Sequence, residues 1–459
     1  MELSKNAEKY DIIKLEGRGG FMEAVAIKNE ENVSYKSAEK RSRGRFKPET
    51  GKLTNFEIKK VLLAKIAEEE LSIVEDETDK DLLASINYKE DKFNIVSLFS
   101  GVGGLDLGVE LAGLVSTIGE EEALKHFYKS KESFDSVREK SLFNTIYTND
   151  IFKEANESYR LNFPEHSVQH QKDIRKVAKF PKCQLMIGGF PCPGFSEAGP
   201  RLIDDERNFL YIHFIRALTQ SQPEFFIAEN VKGMMSLGKG EVLKQIVEDF
   251  SAAGYTVTPH LVNSRDYGVP QLRERVFLIG IHKEKVEKKY GYSYILPDAT
   301  HGVTGGLFSD IKPFVTLKEA IGDLEENPGD FFEGDYSFIY MSRNRKKSWE
   351  EQSFTIQASG RQAPQHPSGE SMTKIGPNKW QFNGKNNRRL SIKEIARIQT
   401  FPDWYVFSDG GSNTLSKNGR LDKIYKQIGN AVPVLLAKAI VQPISDFIHQ
   451  NMVGEKNDG

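Results

Sequence analysis

The amino-acid sequence predicts an α/β protein with a doubly wound, mostly parallel sheet and a smaller, irregular domain. From residue 93, short apolar runs rich in β-branched residues alternate with longer segments of helical periodicity, as in strands joined by crossover helices. From about 283 to 420, proline, glycine, asparagine and aromatic residues are frequent and long periodic runs are rare. We therefore expect an extension of unknown role at 1–92, a main domain at 93–282 that 422–450 completes, and a small domain at 283–421.

The main domain is predicted to begin with four strand–helix pairs. The strands are FNIVSLF (93–99), NTIYTND (144–150), CQLMIGG (183–189) and EFFIAEN (224–230). The helices are GGLDLGVELAG (103–113), IFKEANESYRLNF (151–163), a segment from about 207 to 220, and EVLKQIVEDFSAAG (241–254). YTVTPHLVN (255–263) and RVFLIGIH (275–282) then resemble a closing antiparallel pair, and AVPVLLAKAIVQPISDFIH (431–449) is helical again.

The composition limits the classes of protein to consider. Neither a secretory signal nor a run of about 18 apolar residues is visible, so we expect no membrane segment and a reducing cytoplasm. Two cysteines are too few for a disulfide framework or a structural zinc site, and we expect no metal. With a net charge of −2, a nucleic acid would have to bind local basic segments. Those segments are 36–47, 341–347 and 384–397, which can also be solvated faces or arms.

A glycine turn, LFSGVGGLDLG (98–108), follows the first strand of the main domain. Asp106 occupies the place of the third glycine of a dinucleotide fingerprint, which argues against a bound pyrophosphate. A nucleoside cofactor without phosphates, such as S-adenosylmethionine, suits the turn better. Asp150 and Asp173 are expected at later strand ends, where carboxylates can accept ribose hydroxyls and an adenine amino group. Asp150 can equally cap the following helix.

Cys192 lies between two prolines in a polar loop, GGFPCPGFSEAGP (188–200). The alternatives are a buried inert thiol, a metal ligand that lacks partners, and a nucleophile. A cysteine–histidine hydrolase would need His213 or His260 as its base, and neither has a motif-like setting.

Four polar residues in later segments of the sequence are further candidates for a functional site. Glu229 follows an apolar strand, a position suited to a raised pKa and proton donation, although a surface or capping acid is the alternative. Gln271, Arg273 and Arg275 alternate, so we expect them on one side of a strand in contact with an anion or a base.

Eight blocks resemble the DNA (cytosine-5)-methyltransferases in order and spacing, from about Phe93 to the C-terminal helix. They are LFSGVGGLDLG, TNDI, KDI, GGFPCPGFSEAG, ENV, QLRERV, RRLSIKEIARIQTFPDWY and KQIGNAVP. The resemblance is to the bacterial restriction-modification type. It implies a Rossmann-like methyltransferase sheet with a small target-recognition domain, and methyl transfer from S-adenosylmethionine to C5 of a flipped-out cytosine in double-stranded DNA.

The resemblance also implies a role for each matching residue. Cys192 would be the nucleophile that adds to C6, Glu229 would hold and protonate N3, Arg275 would contact O2, and Arg273 would support the site. Around the cofactor, it assigns Phe99, Gly101 and Gly103 to the turn, Asp150 to the ribose, Asp173 and Ile174 to the adenine, and Leu210 and Asn430 to the rest of the pocket. Ser196 and Gln271 would make DNA or loop contacts.

Three features depart from the family pattern. Pro193 replaces a glutamine that many members have after the cysteine, the stretch 130–144 lengthens one connection without an assigned role, and 1–92 has no counterpart in minimal members. We expect MSRNRKKSW and SGRQAPQHP, within the variable segment 283–385, to read base edges.

The expected partners follow from the same resemblance. They are double-stranded DNA and a companion restriction endonuclease, with the protein itself a monomer. A transfer-RNA cytosine-5 methyltransferase is the alternative enzyme, and a DNA-binding protein without activity is the non-enzymatic alternative.

Overall fold

The computed structural model describes residues 73–191, 210–236, 240–303, 311–411 and 414–452, most of 60–71, and the backbone of 10–15 and 22–27. Three predicted features lie outside the described residues: Cys192, Ser196 and the basic segment 36–47. Part of the 56–71 helix predicted from its periodicity is described, and its described residues are helical.

Strands and helices occur along the whole described chain. The strands are β1 Tyr10–Leu15, β2 Met22–Ile27, β3 Phe93–Leu98, β4 Phe143–Asn149, β5 Val168–His170, β6 Leu185–Gly188, β7 Phe225–Val231, β8 Tyr255–Asn263, β9 Gln271–Leu272, β10 Glu274–His282, β11 His301–Gly302, β12 Lys312–Pro313, β13 Ser353–Phe354, β14 Thr373–Gly376 and β15 Lys379–Gln381. The helices are α1 Glu77–Ala84, α2 Gly104–Ile118, α3 Glu120–Lys129, α4 Lys131–Arg138, α5 Lys153–Asn162, α6 Leu210–Ser221, α7 Gly233–Ser236, α8 Glu241–Ala252, α9 Lys288–Tyr290, α10 Leu317–Ile321, α11 Ile392–Ile398, α12 Lys417–Asn430 and α13 Val434–Asn451.

The main sheet has seven strands and is mostly parallel, which confirms the predicted fold class. β3, β4 and β6 are buried along their whole length, as expected for strands covered on both faces. β4 pairs in parallel with β3 and with β5, and β6 pairs in parallel with β7. All four predicted strand–helix pairs are present.

The last two strands of the sheet close it as the sequence predicts. Residue 282, at the end of β10, donates its backbone N–H to the carbonyl of Glu224, just before β7. Lys283 donates in the same way to Gly254, just before β8. The end of β10 therefore lies at the starts of both neighbours, and β10 runs antiparallel to them.

The chain divides into two compact units whose boundaries differ from the predicted domains. The first unit contains 1–86, 172–261 and 276–293, and the second contains 87–171, 262–275 and 294–459. The second unit joins distant segments because α13 packs along α2: the Ser116 and Ser445 hydroxyls lie 2.8 Å apart, and Gly108 faces Ala437. The predicted domain boundaries stay a prediction.

The insertion at 130–144 forms α4 and part of the core of the second unit. Arg138 is buried and bonds through Nε to Glu110 Oε2 at 2.9 Å. Its guanidinium lies 5.0 Å from the ring centre of Phe134 and 5.2 Å from that of Phe163. Phe134 in turn stacks on Trp404 at 5.7 Å. The insertion, to which the sequence assigned no role, is thus structural.

Before α12 begins at Lys417, the described part of the predicted irregular region contains only short elements, with no strand longer than four residues. The C-terminal stretch Lys417–Asn451 is long and apolar enough to cross a membrane by length and composition alone. However, α12 ends at Asn430, α13 begins at Val434, and 56% of the most apolar window is buried. These properties are typical of a core helix.

Candidate functional site

The glycine turn connects β3 to α2 in the second unit and bonds directly to Asp150. Phe99, Gly101 and Gly103 all adopt positive φ angles, of 54°, 54° and 78°. Such a conformation is uncommon for a phenylalanine, so the backbone of the turn is strained at this residue. The Gly101 N–H donates to Asp150 Oδ2 at 2.9 Å, since β3 and β4 are parallel neighbours that end together. The structure therefore brings these four predicted residues together.

The two glycines of the turn face different surroundings. A Cβ added at Gly103 would overlap the rings of Phe163 and Tyr159, so this residue must be glycine to let the turn pack on α5. A Cβ added at Gly101 would meet nothing within 4 Å. Open space therefore lies over Gly101, beside the Asp150 carboxylate.

Asp150 is held by backbone donors at the rim of this space. Its Oδ1 accepts the Phe152 N–H at 2.9 Å, in addition to the bond from Gly101. Burial raises the pKa of its carboxyl above the usual range, and the two backbone N–H groups oppose that shift. A fixed carboxylate beside an open glycine turn is suited to accept hydrogen bonds from sugar hydroxyls.

Asp106 lies buried beneath the turn, in the first turn of α2. Its carboxyl accepts hydrogen bonds from the Ser97 hydroxyl at 3.1 Å and from the Tyr159 hydroxyl at 3.0 Å. Burial raises the pKa of Asp106 to about 7, although both hydrogen bonds lower it. The sequence showed that Asp106 replaces a glycine, but it did not reveal this buried network.

Asn430 ends α12 and is exposed. The two residues that follow it pack on the start of α2, because a Cβ at Gly104 would contact both Ala431 and the carbonyl of Val432. Asn430, a predicted pocket residue, thus lies next to a segment that is fixed against the first turn of α2.

We expected Gln271, Arg273 and Arg275 to lie on one side of a strand and to contact an anion or a base. This expectation is wrong for Gln271 and Arg273. Gln271 is fully buried, and its Nε2 donates to Gln399 Oε1 at 2.8 Å. Arg273 is also buried and donates to backbone carbonyls, among them Gly429 at 2.9 Å. Arg273 holds the chain before and after Asn430. Gln271 also accepts the Ile356 N–H at 2.8 Å, so both side chains are bonded within the protein.

Arg273 and Arg275 differ in exposure although they alternate along the strand. Arg273 donates to the carbonyls of Ile356 and Ala431 as well. Arg275 is half-buried, and its Nη1 donates to the carbonyl of Glu274 at 2.8 Å. Of the three alternating residues, Arg275 is the most exposed.

Three predicted cofactor residues belong to the first unit. Asp173 caps a short 3₁₀ helix and forms an ion pair with Arg175, 2.6 Å from Nη2 to Oδ2, which lowers the pKa of its carboxyl. Ile174 is buried, and its carbonyl accepts a bond from Arg216 at 2.8 Å. Leu210 is half-buried and begins α6.

Glu229 lies at the carboxyl end of β7, against the start of the Pro-Cys loop. It is buried, and a Cβ placed on Gly189 would lie 3.0 Å from its Oε2. The next residue, Asn230, donates from Nδ2 to the carbonyl of Phe190 at 3.1 Å. Together, Glu229 and Asn230 contact the chain two to three residues before Cys192. Asn230 was not predicted as a site residue, although it stands in the Glu-Asn-Val motif.

The segments predicted to read base edges are partly buried. Arg345 and Lys346 of MSRNRKKSW and Gln365 and His366 of SGRQAPQHP are all buried, so these four side chains are not free to reach a base. Arg343 and Arg361 are the exposed arginines of the two segments. Burial lowers the pKa of Arg345 to about 10. In 384–397, Arg388 pairs with Glu394, and Arg389 is buried.

A mostly parallel sheet, with a glycine turn bonded to a carboxylate at the next strand end, defines a Rossmann-like α/β protein. The sequence profile of the C-5 cytosine-specific DNA methylase family matches residues 93–446. The chain belongs to this family.

Curated relatives agree with the family over most of the chain. The chain is 60% identical to the Type II methyltransferase M.BsuRI of Bacillus subtilis, over 89% of this chain and 91% of the relative. It is 58% identical to the Type II methyltransferase M.BspRI of Lysinibacillus sphaericus, over 89% and 94%. The crystal structure of the S. pombe Dnmt2 methyltransferase superposes with a TM-score of 0.49 and 15% identity, over 78% of this chain and 99% of that one.

Proposed function

We propose that the protein transfers a methyl group from S-adenosylmethionine to C5 of a flipped-out cytosine in a specific double-stranded DNA sequence. The observation that carries the proposal is the position of Glu229, whose carboxylate lies against Gly189, three residues before Cys192. A buried acid beside a loop with one cysteine is the pair of groups that C5 chemistry requires, because cytosine C5 is a poor nucleophile until a thiolate has added to C6.

The protein's own groups then act in a fixed order. The Cys192 thiolate forms a bond to C6, and Glu229 donates a proton to N3, so that the ring electrons collect as an enamine at C5. Arg275 contacts O2 and stabilises the adduct. After C5 has taken the methyl group, the C5 proton leaves to solvent, the electron pair of the C5–H bond forms the C5–C6 double bond, and the C6–S bond breaks to release the Cys192 thiolate. The N3 proton returns to Glu229, which restores the neutral ring and the acid. Arg273, which donates to the carbonyls of Gly429 and Ala431, would support the site.

The residues of the glycine turn fit an adenosine cofactor without phosphates. S-adenosylmethionine, when bound, supplies an electrophilic methyl group. Gly101 leaves open space for it, Asp150 presents a fixed carboxylate for the ribose hydroxyls, and Phe99 and Gly103 shape the turn. Asp173 and Ile174 would take the adenine, and Leu210 and Asn430 would complete the pocket.

The biological role is proposed from the relatives. M.BsuRI and M.BspRI are named Type II methyltransferases, and both are from bacteria. We infer that this protein is the modification enzyme of a restriction-modification system, protects DNA from a companion endonuclease, and works as a monomer in the cytoplasm.

Methylation of unmethylated genomic DNA tests the proposal. The protein and Cys192→Ser are each incubated with DNA and tritium-labelled S-adenosylmethionine, and bisulfite sequencing identifies the modified cytosines. We expect methylation at one short motif with the natural protein and none with the variant. Label in transfer RNA instead of DNA would overturn the choice of substrate, and specific DNA binding without transfer to either would overturn the activity.

A further inference from the structure

Within the first unit, acidic side chains of the N-terminal extension bond to the segment 172–180. We call three of them the extension acids: Glu75, Asp76 and Asp79. Lys172 Nζ lies 2.8 and 2.7 Å from the two carboxylate oxygens of Asp79 and 3.2 Å from Asp76 Oδ2. Lys179 Nζ lies 2.8 Å from Glu75 Oε2. The extension, to which the sequence assigned no role, is thus bonded to the segment that contains Asp173 and Ile174.

The start of α1 fixes Asp76 and Asp79 relative to each other. Asp76 is the N-cap of this helix, and its Oδ1 accepts the backbone N–H of Asp79 at 2.8 Å. Its other oxygen, Oδ2, is the one that bonds to Lys172. The helix start therefore presents both carboxylates to one ammonium group.

The pair of Asp79 with Lys172 is more buried than the pair of Glu75 with Lys179. The side chain of Asp79 is 6% exposed and that of Lys172 is 21% exposed, whereas that of Lys179 is 65% exposed. Exposed ion pairs contribute little, but loss of one partner of a buried pair leaves a charge that water does not solvate. Asp79 is therefore the extension acid whose loss should affect the segment most.

Helix α6 holds the same segment through its backbone. Between 172 and 180 the regular structure is one 3₁₀ turn, Ile174–Lys176, so side-chain bonds fix much of the path of the chain. Arg216 of α6 is fully buried and donates to the carbonyls of Ile174 at 2.8 Å and Val177 at 2.6 Å. The middle of the segment is therefore tied to α6.

Gln220, near the end of α6, joins the extension to the end of the segment. Its Oε1 accepts the Phe180 N–H at 3.0 Å, and its Nε2 donates to Glu70 Oε1 at 2.6 Å. Glu70 belongs to the helical part of the extension before α1. Contacts from the extension thus lie at both ends of the segment.

Asp173 lies between the contacts from the extension and those from α6. Asp79 bonds to Lys172, directly before Asp173, and Arg216 bonds to the carbonyl of Ile174, directly after it. Holding both neighbours restricts the backbone of Asp173 before any ligand binds, so less conformational entropy is lost on binding. The carboxylate of Asp173 is thereby presented at a defined place.

We propose that the extension acids, and Asp79 above all, position Asp173 for the amino group of the cofactor's adenine. The inference rests on the proposed function, in which Asp173 and Ile174 take the adenine. Asp79 and Lys172 are positioning residues, because they act through Asp173 and do not contact the cofactor. Residues that orient a ligand-binding group are required for its affinity although they touch no ligand. The extension then serves cofactor binding.

Binding of two nucleosides by the full chain tests this positioning role. S-adenosylhomocysteine carries the adenine amino group, and its purine analogue has hydrogen in that place, so the analogue has no amino N–H to donate to Asp173. Calorimetry compares the natural protein with Asp79→Asn and with Glu77→Gln, a control acid of α1 whose side chain is 83% exposed. We expect Asp79→Asn to bind S-adenosylhomocysteine about tenfold more weakly and the analogue with nearly unchanged affinity. Glu77→Gln should bind both compounds as the natural protein does.

The preference for the amino group separates positioning from a general effect on the fold. Equal losses of Asp79→Asn for both compounds, or affinities equal to those of Glu77→Gln, would overturn the inference. If thermal unfolding shows that Asp79→Asn does not fold, Asp79→Asn/Lys172→Gln replaces it, because this variant leaves neither charge of the buried pair without its partner.

Failure of the proposed function is seen in other samples. Asp173→Ala should lose the preference for the amino group completely. If it keeps that preference, or if the natural protein does not bind S-adenosylhomocysteine, the assigned cofactor site is wrong and this inference falls with it. Loss of the preference in Asp173→Ala but not in Asp79→Asn would overturn the positioning role alone.

Discussion

Asp106 is an acid whose ionisation the fold shifts to a pH near neutral. It lies beneath the glycine turn with hydrogen bonds from Ser97 and Tyr159, and burial raises its pKa to about 7. In the unfolded chain an aspartate ionises near pH 4. Between these two values the folded protein binds the additional proton, so the free energy of unfolding falls as the pH rises from about 4 to about 7 and then levels off.

The pH dependence of stability should therefore change in Asp106→Asn. An amide keeps the size and the hydrogen bonding of the protonated carboxyl but does not titrate. We expect the natural protein to lose stability relative to the variant, by up to about 1.4 kcal/mol per pH unit, between pH 5 and pH 7. Urea unfolding at several pH values measures the difference. Parallel curves for the two proteins would show that Asp106 ionises normally.

Glu229 should be required for chemistry but not for cofactor binding. Glu229→Gln keeps the contact with Gly189 but removes the proton donor, so we expect single-turnover methylation to slow by about 100-fold or more. The affinity for S-adenosylmethionine, measured by calorimetry, should stay unchanged. The control is Glu224→Gln, at the residue immediately before the start of β7, and this variant should retain activity. A methylation rate in Glu229→Gln equal to that of the control would exclude the proton-donor role.

The sequence predicted the positions of residues that directly follow a strand, because the end of the strand fixes where they lie. The glycine turn and Asp150 follow adjacent parallel strands, so their contact could be predicted from β3 and β4 alone. The burial of Gln271 could not, because the residue that covers it, Gln399, lies 128 positions away. Polar residues at every second position of a strand do not show which distant segment of the chain packs on that strand.

Among the elements, the contact between α2 and α13 depends on glycine. A Cβ at Gly108 would overlap that of Ala437 and lie 2.7 Å from the carbonyl of Val434. Gly419, by contrast, is a helical glycine of α12 where an added Cβ would make ordinary contacts at 3.4 Å. Gly108 and Gly419 therefore serve as a test position and a control position for the effect of an added Cβ.

Alanine at these two positions should have opposite effects on stability. Gly108→Ala forces the two helices apart, and we expect it to lower the free energy of unfolding by about 1–3 kcal/mol. Gly419→Ala should be neutral or stabilising by up to about 1 kcal/mol, because alanine favours the helix. Thermal and urea unfolding measure both. Equal effects of the two substitutions would contradict the close packing of α2 on α13.

Most elements could be predicted from periodicity, but their packing could not. The strands of the main sheet are continuous apolar runs, which a single sequence reveals well. The role of α4 depends on Glu110, Phe163 and Trp404, which are distant in the sequence, so 130–144 could only be recognised as an insertion. The cations of 341–347 and 384–397 have the composition of a DNA-binding surface, yet Arg345 and Arg389 serve the core.

For the whole molecule, a net charge of −2 means that DNA binding depends on a few local cations. Removal of one phosphate contact should reduce the salt dependence of binding by about one unit in the slope of log K against log salt. We expect this change for Arg343→Ala. Arg160→Ala, an exposed arginine of α5 outside the predicted recognition segment, should leave the slope unchanged. Titrations between about 50 and 200 mM salt measure it, and identical slopes would remove Arg343 from the DNA contact.

The motifs of the whole chain identified the family because eight blocks occur in one order, and no physical pattern of a single element would have sufficed. Their order predicts that Cys192 and Glu229 act in one mechanism, which stays a prediction; the structure shows the Glu229 carboxylate against Gly189. The recognition surface depends instead on side-chain burial, which the motifs do not encode.

The most direct test of the account is the covalent bond between Cys192 and cytosine. A duplex with 5-fluorocytosine at the target position is incubated with the protein and S-adenosylmethionine; fluorine at C5 does not leave as the proton does, so the adduct is trapped. Peptide mass spectrometry of the complex should find the nucleotide on Cys192, with none in Cys192→Ser and little in Glu229→Gln. A nucleotide attached elsewhere, or no covalent complex under conditions where the natural duplex is methylated, would contradict the account.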